Sequence, residues 1–277
     1  MVVYSKKGIL IRLLYLAIAI FLWILTFQGR LLNSKRVILC YHGITDESIK
    51  AFRFQIQSVV HRVVAMDSKN SSNHRQFSQP AVVITFDDAF ENLLSNALPA
   101  INELSIPVSI YVVTGYMGDN PGWLEGSNHC DKNKKLMNSN QIKALAVNPL
   151  VSLGTHTHTH PKLTSLDEKS MERELRQSKN ILEGLIGKKV MSLAFPHGDF
   201  NTEVLELARA SGLTQFLTLE EQMVSANQPQ GKIGRFSMEP NVWPIEFRLT
   251  VDGAYSWLFY FRRIIRSLRS LRSLLSK

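Results

Sequence analysis

Cysteine is nearly missing from this chain. Cys40 and Cys130 are the two in 277 residues, which is too few for a disulfide framework. Cys40 lies in an apolar run and reads as a buried thiol; a bond to Cys130 would need an oxidising compartment. Acid is missing from both ends: residues 1–36 and 253–277 contain no Asp or Glu, yet carry twelve of the 32 basic side chains. The remaining 20 basic groups face all 23 acidic ones, so the body is mildly acidic. A nucleic-acid-binding body needs a basic face, and that class is excluded. No internal repeat is present, and no histidine follows His197.

Long apolar runs, by contrast, are present. Gly8 to Phe27, "GILIRLLYLAIAIFLWILTF", holds one charge, Arg12, and is long enough for a hydrocarbon core of about 30 Å. It reads as an uncleaved transmembrane anchor, with Arg12 reaching back toward the headgroups and Trp23 near the far interface. A cleaved signal peptide is the competitor, but "TFQGRLLNS" offers a poor cleavage site. The C-terminal "SWLFYFRRIIRSLRSLRSLLSK" reads as a basic amphipathic helix, with Trp257, Phe261, Ile264, Ile265, Leu268, Leu271 and Leu275 at helical spacing. Such a helix either lies in an anionic membrane surface or packs on the domain.

Between the tails, short apolar runs alternate with helical patterns. Strands are expected at 36–42, 81–86, 108–113, 150–156, 190–195 and 214–219. Helices are expected from Glu91 to Leu104, Ser139 to Ala146, Leu166 to Leu185 (with Gly187 as a stop) and Thr202 to Ala210. Residues 67–79 read as a polar loop. The alternation implies an α/β fold with a mostly parallel sheet, open or closed into a barrel.

Polar residues gather where the strands end, as sites do in parallel α/β folds. Tyr41 and His42 follow the first strand; Asp87 and Asp88 follow "AVVITF"; "GTHTHTHPKL" carries His156, His158 and His160; Pro196 to Asp199 follow the fifth strand. Asp88 with Glu91 would make a capping-box pair, but a cap needs one carboxylate and a second adds repulsion. Imidazoles are common zinc ligands, and two histidines with a carboxylate leave positions open for water and substrate. Periodicity leaves open which two bind, since alternating residues of an extended chain all face one way.

"TFDDAF", "HTHTHP" and "FPHGDF", in this order and spacing, resemble the polysaccharide deacetylases, the NodB-homology or carbohydrate esterase family 4 enzymes. The likeness runs from about Arg36 to Pro240. It implies a distorted (β/α) barrel of about seven parallel strands, which places the domain at residues 36–252; the tails read above then make a membrane anchor and linker over 1–35 and the basic helix over 253–277. It implies a divalent metal, zinc by ligand type, held by Asp88, His156 and His160, with Asp87 as catalytic base and His158 as a lining residue. The backbone N–H of His197 would hold the oxyanion, and Pro196 and Asp199 would border the substrate; Asp199 could instead cap the next helix. One carboxylate for the metal and one for a proton explains the adjacent pair.

Three departures stand out. The usual glycine after the aspartates is Ala89. The arginine often found before the proline motif is replaced near Ala194, which makes Arg235 in "IGRFSM" the candidate to orient Asp87. The absence of a late histidine makes His42 in "VILCYHGI" the candidate general acid, which resembles the poly-N-acetylglucosamine deacetylase branch. His61, His74 and His129 read as surface or loop residues.

The expected function is metal-dependent N-deacetylation of an N-acetylated glycan, releasing acetate, by a single-pass membrane-anchored hydrolase facing the extracytoplasmic side of a bacterial envelope. The partners are then the glycan and the membrane, with no nucleic acid. The alternatives are a lipid-linked or envelope saccharide precursor as substrate, or a non-catalytic glycan-binding protein.

Overall fold

The computed structural model describes residues 6–66, 78–225 and 231–275. Most of the polar loop expected at 67–79, including His74, lies outside the described residues. Six strands follow one another in chain order: β1 (Lys35–Tyr41), β2 (Ala81–Phe86), β3 (Val108–Val112), β4 (Val151–Thr155), β5 (Ser192–Ala194) and β6 (Gln215–Leu217). Each pairs in parallel with the next. Three short strands complete the sheet. β7 (Val224–Ser225) runs antiparallel to β1, β8 (Gly231–Ile233) pairs in parallel with β6, and β9 (Phe236–Ser237) pairs in parallel with β1.

The segment β8–β9 is broken at Gly234 and Arg235. Its first half joins β6 and its second half joins β1, so it bridges the last strand to the first and nearly closes a barrel. Gly234 is required at the break, because a Cβ there would lie 2.6 Å from the Glu220 carbonyl oxygen. The α/β barrel implied by the sequence is present; β7, β8 and β9 are too short to show a period.

Strand parity sorts the core into two layers. Val37, Leu39 and Tyr41 of β1 and Val82, Ile84 and Phe86 of β2 join the large cluster beneath the helices. Ile38, Val83, Tyr111, Ala194, Leu217 and Ile233 form a separate cluster that fills the lumen. The alternate row Val83, Thr85, Asp87 therefore carries a carboxylate to the end of the lumen.

Nine helices are found among the described residues: α1 (Lys6–Leu25), α2 (Ile49–Val59), α3 (Leu93–Asn96), α4 (Leu98–Glu103), α5 (Ser139–Ala146), α6 (Glu168–Ile186), α7 (Thr202–Ala210), α8 (Pro244–Val251) and α9 (Trp257–Leu275). α6 starts at the Asp167 cap, which accepts from the Ser170 N–H, and stops at Gly187 with φ 66°. The helix expected from Glu91 to Leu104 is two pieces, α3 and α4, because residues 88–92 turn instead. Asp88 and Ala89 have φ of 68° and 57°, and the Glu91 carboxylate accepts from Gln141 Nε2, so no Asp88–Glu91 capping box forms. Asp199 does not cap α7; Asn201 does, accepting from the Val204 N–H.

The terminal helices pack on the barrel. α1 lays Leu16, Ala19, Ile20 and Trp23 against Leu249, Ala254 and Tyr255. Trp23 Nε1 donates to Asp252 Oδ2 at 2.8 Å. Arg12, expected to reach toward headgroups, turns to the domain, where it pairs with Glu246 and covers the Trp243 ring at 4.1 Å.

Candidate active site

Asp87 ends the lumen row of β2, and its N–H donates to the Tyr41 carbonyl. Its carboxylate is almost fully buried. Arg235, at the β8–β9 break and wholly buried, donates Nη1 to Oδ1 at 2.7 Å and Nη2 to Oδ2 at 2.8 Å. Arg235 is itself fixed by the Thr85 hydroxyl and the Thr218 carbonyl. Burial alone would raise the Asp87 pKa, but the bidentate guanidinium outweighs it and holds the carboxyl well below the usual range. The Cys40 thiol, unbridged and buried, donates to Asp87 Oδ2 at 3.3 Å; burial pushes its pKa up, so it stays a neutral donor.

Asp88 has a positive φ of 68°, and its carboxylate and that of Asp87 both approach His156 Nε2, at 3.5 and 3.8 Å. Asp88 Oδ1 lies 3.5 Å from His156 Nε2 and 3.5 Å from His160 Nε2. His156 is set by β4: its Nδ1 lies 2.7 Å from the Ala194 carbonyl on β5, which fixes the N–H on Nδ1 and leaves the Nε2 lone pair facing Asp88. His160 is brought back by a turn in which Thr157 and His160 have φ of 67° and 61°. Its ring is sandwiched, with Trp123 stacked on it at 4.3 Å and His197 edge-on at 4.7 Å. Burial, with the neighbouring imidazoles of His156 and His197, lowers the His160 pKa to about 2, so this imidazole is neutral and its nitrogen is free to coordinate. Burial, reinforced by Asp87, raises the Asp88 pKa.

These three residues fit a divalent ion. Asp88 Oδ1 is buried with no hydrogen-bond partner, which is costly unless something else satisfies it. The ligand atoms of Asp88, His156 and His160 lie within 4.8 Å of one another. One carboxylate and two neutral imidazoles are a known zinc donor set.

The remaining expected residues divide. His42 follows β1, half-buried, with its ring nitrogen, the Cys40 sulfur and an Asp87 oxygen within 4.8 Å of one another. His158 lies outside the triad: its Nδ1 meets the Thr114 hydroxyl at 3.0 Å. All three histidines do not face one way, because positive φ at Thr157 and His160 breaks the extended chain. His197 also has a positive φ, 58°, and its N–H has no acceptor among the backbone hydrogen bonds of the described residues. Pro196 is buried and holds that turn. Asp199 accepts from the Thr164 N–H and hydroxyl, so it ties two loops together while bordering a cavity of about 690 Å³ beside His197.

Three contributions were missed by sequence reasoning. Trp123 sits in a short 3-10 turn with no periodic signal. Glu174 of α6 accepts from the N–H groups of His158 and Thr159 and fixes the histidine turn; its helical phase is the signal that would have pointed it inward. The Ala194 carbonyl, a backbone group, leaves no trace in a side-chain pattern.

Residues 74–216 match the sequence model of the family described as polysaccharide deacetylase. The chain belongs to that family. It is 26% identical over 160 residues to a poly-beta-1,6-N-acetyl-D-glucosamine N-deacetylase of Staphylococcus aureus, covering 55% of this chain and 52% of that one. It thus spans about half the length of the curated relatives it matches. The structure of IcaB from Ammonifex degensii superposes with a TM-score of 0.62 at 22% identity, covering 78% of this chain and 97% of that one. A Streptococcus pyogenes deacetylase, PplD, in complex with acetate gives 0.62 at 21% identity, covering 78% and 98%. These likenesses establish the deacetylase fold.

Proposed function

We propose that this polysaccharide deacetylase is a metal-dependent hydrolase that removes N-acetyl groups from an N-acetylated glycan and releases acetate. The observation that carries the reading is the unpartnered, buried Asp88 oxygen 3.5 Å from two imidazole nitrogens, beside a second carboxylate that Arg235 holds charged.

Asp88, His156 and His160 would hold the ion, zinc by the donor set. Once bound, it supplies Lewis acidity toward the acetamide carbonyl and the attacking water. Asp87 takes a proton from that water as it adds to the carbonyl carbon. Arg235 aims the carboxylate and keeps it ionised. The His197 N–H, on a turn fixed by Pro196, is offered to the developing oxyanion. His42 gives a proton to the amine nitrogen as the carbon–nitrogen bond breaks, so the products are acetate and a free amine. Cys40 shares the Asp87 carboxylate with Arg235 and takes no part in bond making.

Residues 36–252 form the catalytic domain in this reading, with 1–35 and 253–277 as membrane-associating appendages, and the site works on the extracytoplasmic side of a bacterial envelope. Gly8–Leu25 is long and apolar enough to cross a membrane, a test that a signal sequence also passes.

Metal analysis followed by acetate release from N-acetylglucosamine oligomers, with and without chelator, tests the reaction. Release that stops with chelator and returns with zinc is the expected result. Asp87→Asn should abolish release while the metal stays bound. Glycan binding with no acetate from a metal-loaded protein would make the chain a binder and overturn the proposal.

A further inference from the structure

The two terminal helices form one apolar surface on the outside of the barrel. The docked side of α1 is continuous from Arg12 to Trp23, about 16 Å along a helix axis. Ala19 at its middle is wholly buried. Each end is fastened by a polar contact to α8 or the residue just after it, Arg12 to Glu246 and Trp23 to Asp252. The opposite side is open: Leu10, Leu14, Phe21 and Ile24 are 58–70% exposed. α9 continues this surface. Tyr15 meets the rings of Trp257 and Phe261 edge-on at 5.3 and 6.3 Å, while Ile264 and Leu268 are more than half exposed.

A spanning α1 is incompatible with this docking. α8 lies along it, and with α8 come the half-exposed Arg248 side chain, buried Asp252 and buried Arg62. Carrying α1 through a bilayer would take these ionised groups into hydrocarbon or strip the helix from its partners. An in-plane helix avoids both costs: its docked side keeps the protein contacts and its open side enters the acyl boundary. The charge of the tails selects the surface. Residues 1–36 and 253–277 carry twelve basic groups and no acid; the domain engages Arg12, Arg36 and Arg262, and the excess of positive charge beyond these three suits anionic headgroups.

We propose that α1, together with α9, lies in the plane of an anionic lipid surface and does not cross it. The cavity beside the catalytic turn gives this geometry a consequence. His197 and Asp199 line it together with Tyr15, Phe261 and Ile265 of the two helices. The candidate site therefore opens next to the lipid.

Membrane vesicles of both orientations, from cells expressing the full chain with an N-terminal epitope, supply the test. With α1 in plane, protease removes the epitope and cuts the catalytic domain in the same vesicle orientation. Epitope and domain cut in opposite orientations would mean a spanning helix and overturn the proposal. Purified protein should float with phosphatidylglycerol vesicles and less with phosphatidylcholine alone; equal flotation would refute the anionic surface. Leu14→Glu and Phe21→Glu, on the open side, should each weaken vesicle binding about tenfold, with acetate release from soluble oligomers unchanged. Undiminished binding by both variants would also overturn it. Acetate release is scored separately, so failure of the deacetylase reading would remain distinguishable.

Discussion

Arg235 grips both oxygens of Asp87 in a bidentate pair at 2.7 and 2.8 Å, with both side chains buried. The two residues are 148 positions apart in sequence, and the contact does two jobs. It aims the carboxylate, and it holds that carboxylate charged in a place where burial pushes its pKa up.

Arg235→Ala should therefore raise the Asp87 pKa. Asp87 in the wild type is held below the usual carboxylate range, so its contribution to stability is present above about pH 4 and is lost as acid protonates it. Without the guanidinium, burial dominates, and the acid limb of kcat/KM should move toward neutral pH. Activity should fall by roughly 10²-fold or more, and the uncompensated buried charge should cost about 3–5 kcal/mol of stability. Arg235→Lys keeps the charge but not the fork, so it should restore part of the stability and little of the rate. A pH profile identical to wild type in both variants would remove Arg235 from the positioning role.

His42→Ala should slow turnover by about 10²-fold, the scale of a lost general acid, with metal content unchanged. The ring lies beside Cys40 and Asp87 and outside the Asp88–His156–His160 group. Metal analysis on the same sample decides the matter, because loss of the ion would make His42 a ligand.

Trp123→Ala should loosen the His160 ring, which loses its stacking partner at 4.3 Å. Metal affinity should fall about tenfold, as it does when a ligand's supporting contacts are removed, and Trp123→Phe should recover most of it. Titration against a competing chelator measures both.

Asp252→Ala should destabilise the whole chain. Asp252 is fully buried and accepts from Arg62, Arg248 and Trp23 at 2.8 Å each. Its loss leaves the buried Arg62 guanidinium without its counter-ion, held only by the Pro80 and Val251 carbonyls and Gln79, at about 3–5 kcal/mol, which lowers Tm on the order of 10 °C. Thermal unfolding of the full chain reads this directly.

The motifs of the site were legible because its parts lie at strand ends, where apolar runs stop. The alternation in "AVVITFDD" carries Asp87 inward, and the grouping of Asp88, His156 and His160 agrees with the ligand set that the family resemblance implied. Spacing alone left the choice among His156, His158 and His160 open, since positive φ at Thr157 and His160 is invisible to a period-2 pattern. Ala89 was noted only as a replaced glycine; its φ of 57° explains why glycine suits that position. The full engagement of Arg235 could not be read, because the strand pieces that place it have only two or three residues. Arg12 was misjudged for a similar reason. An arginine in an apolar helix looks like a headgroup contact until Glu246, 234 positions away, is brought beside it.

The break between β8 and β9 has a bearing on biosynthesis. The same few residues seal the barrel and deliver the cation that Asp87 needs, and they emerge from the ribosome after every other member of the site. A nascent chain that has already made its aspartates and histidines still lacks its orienting guanidinium. The candidate site is thus complete only with the last stitch of the sheet.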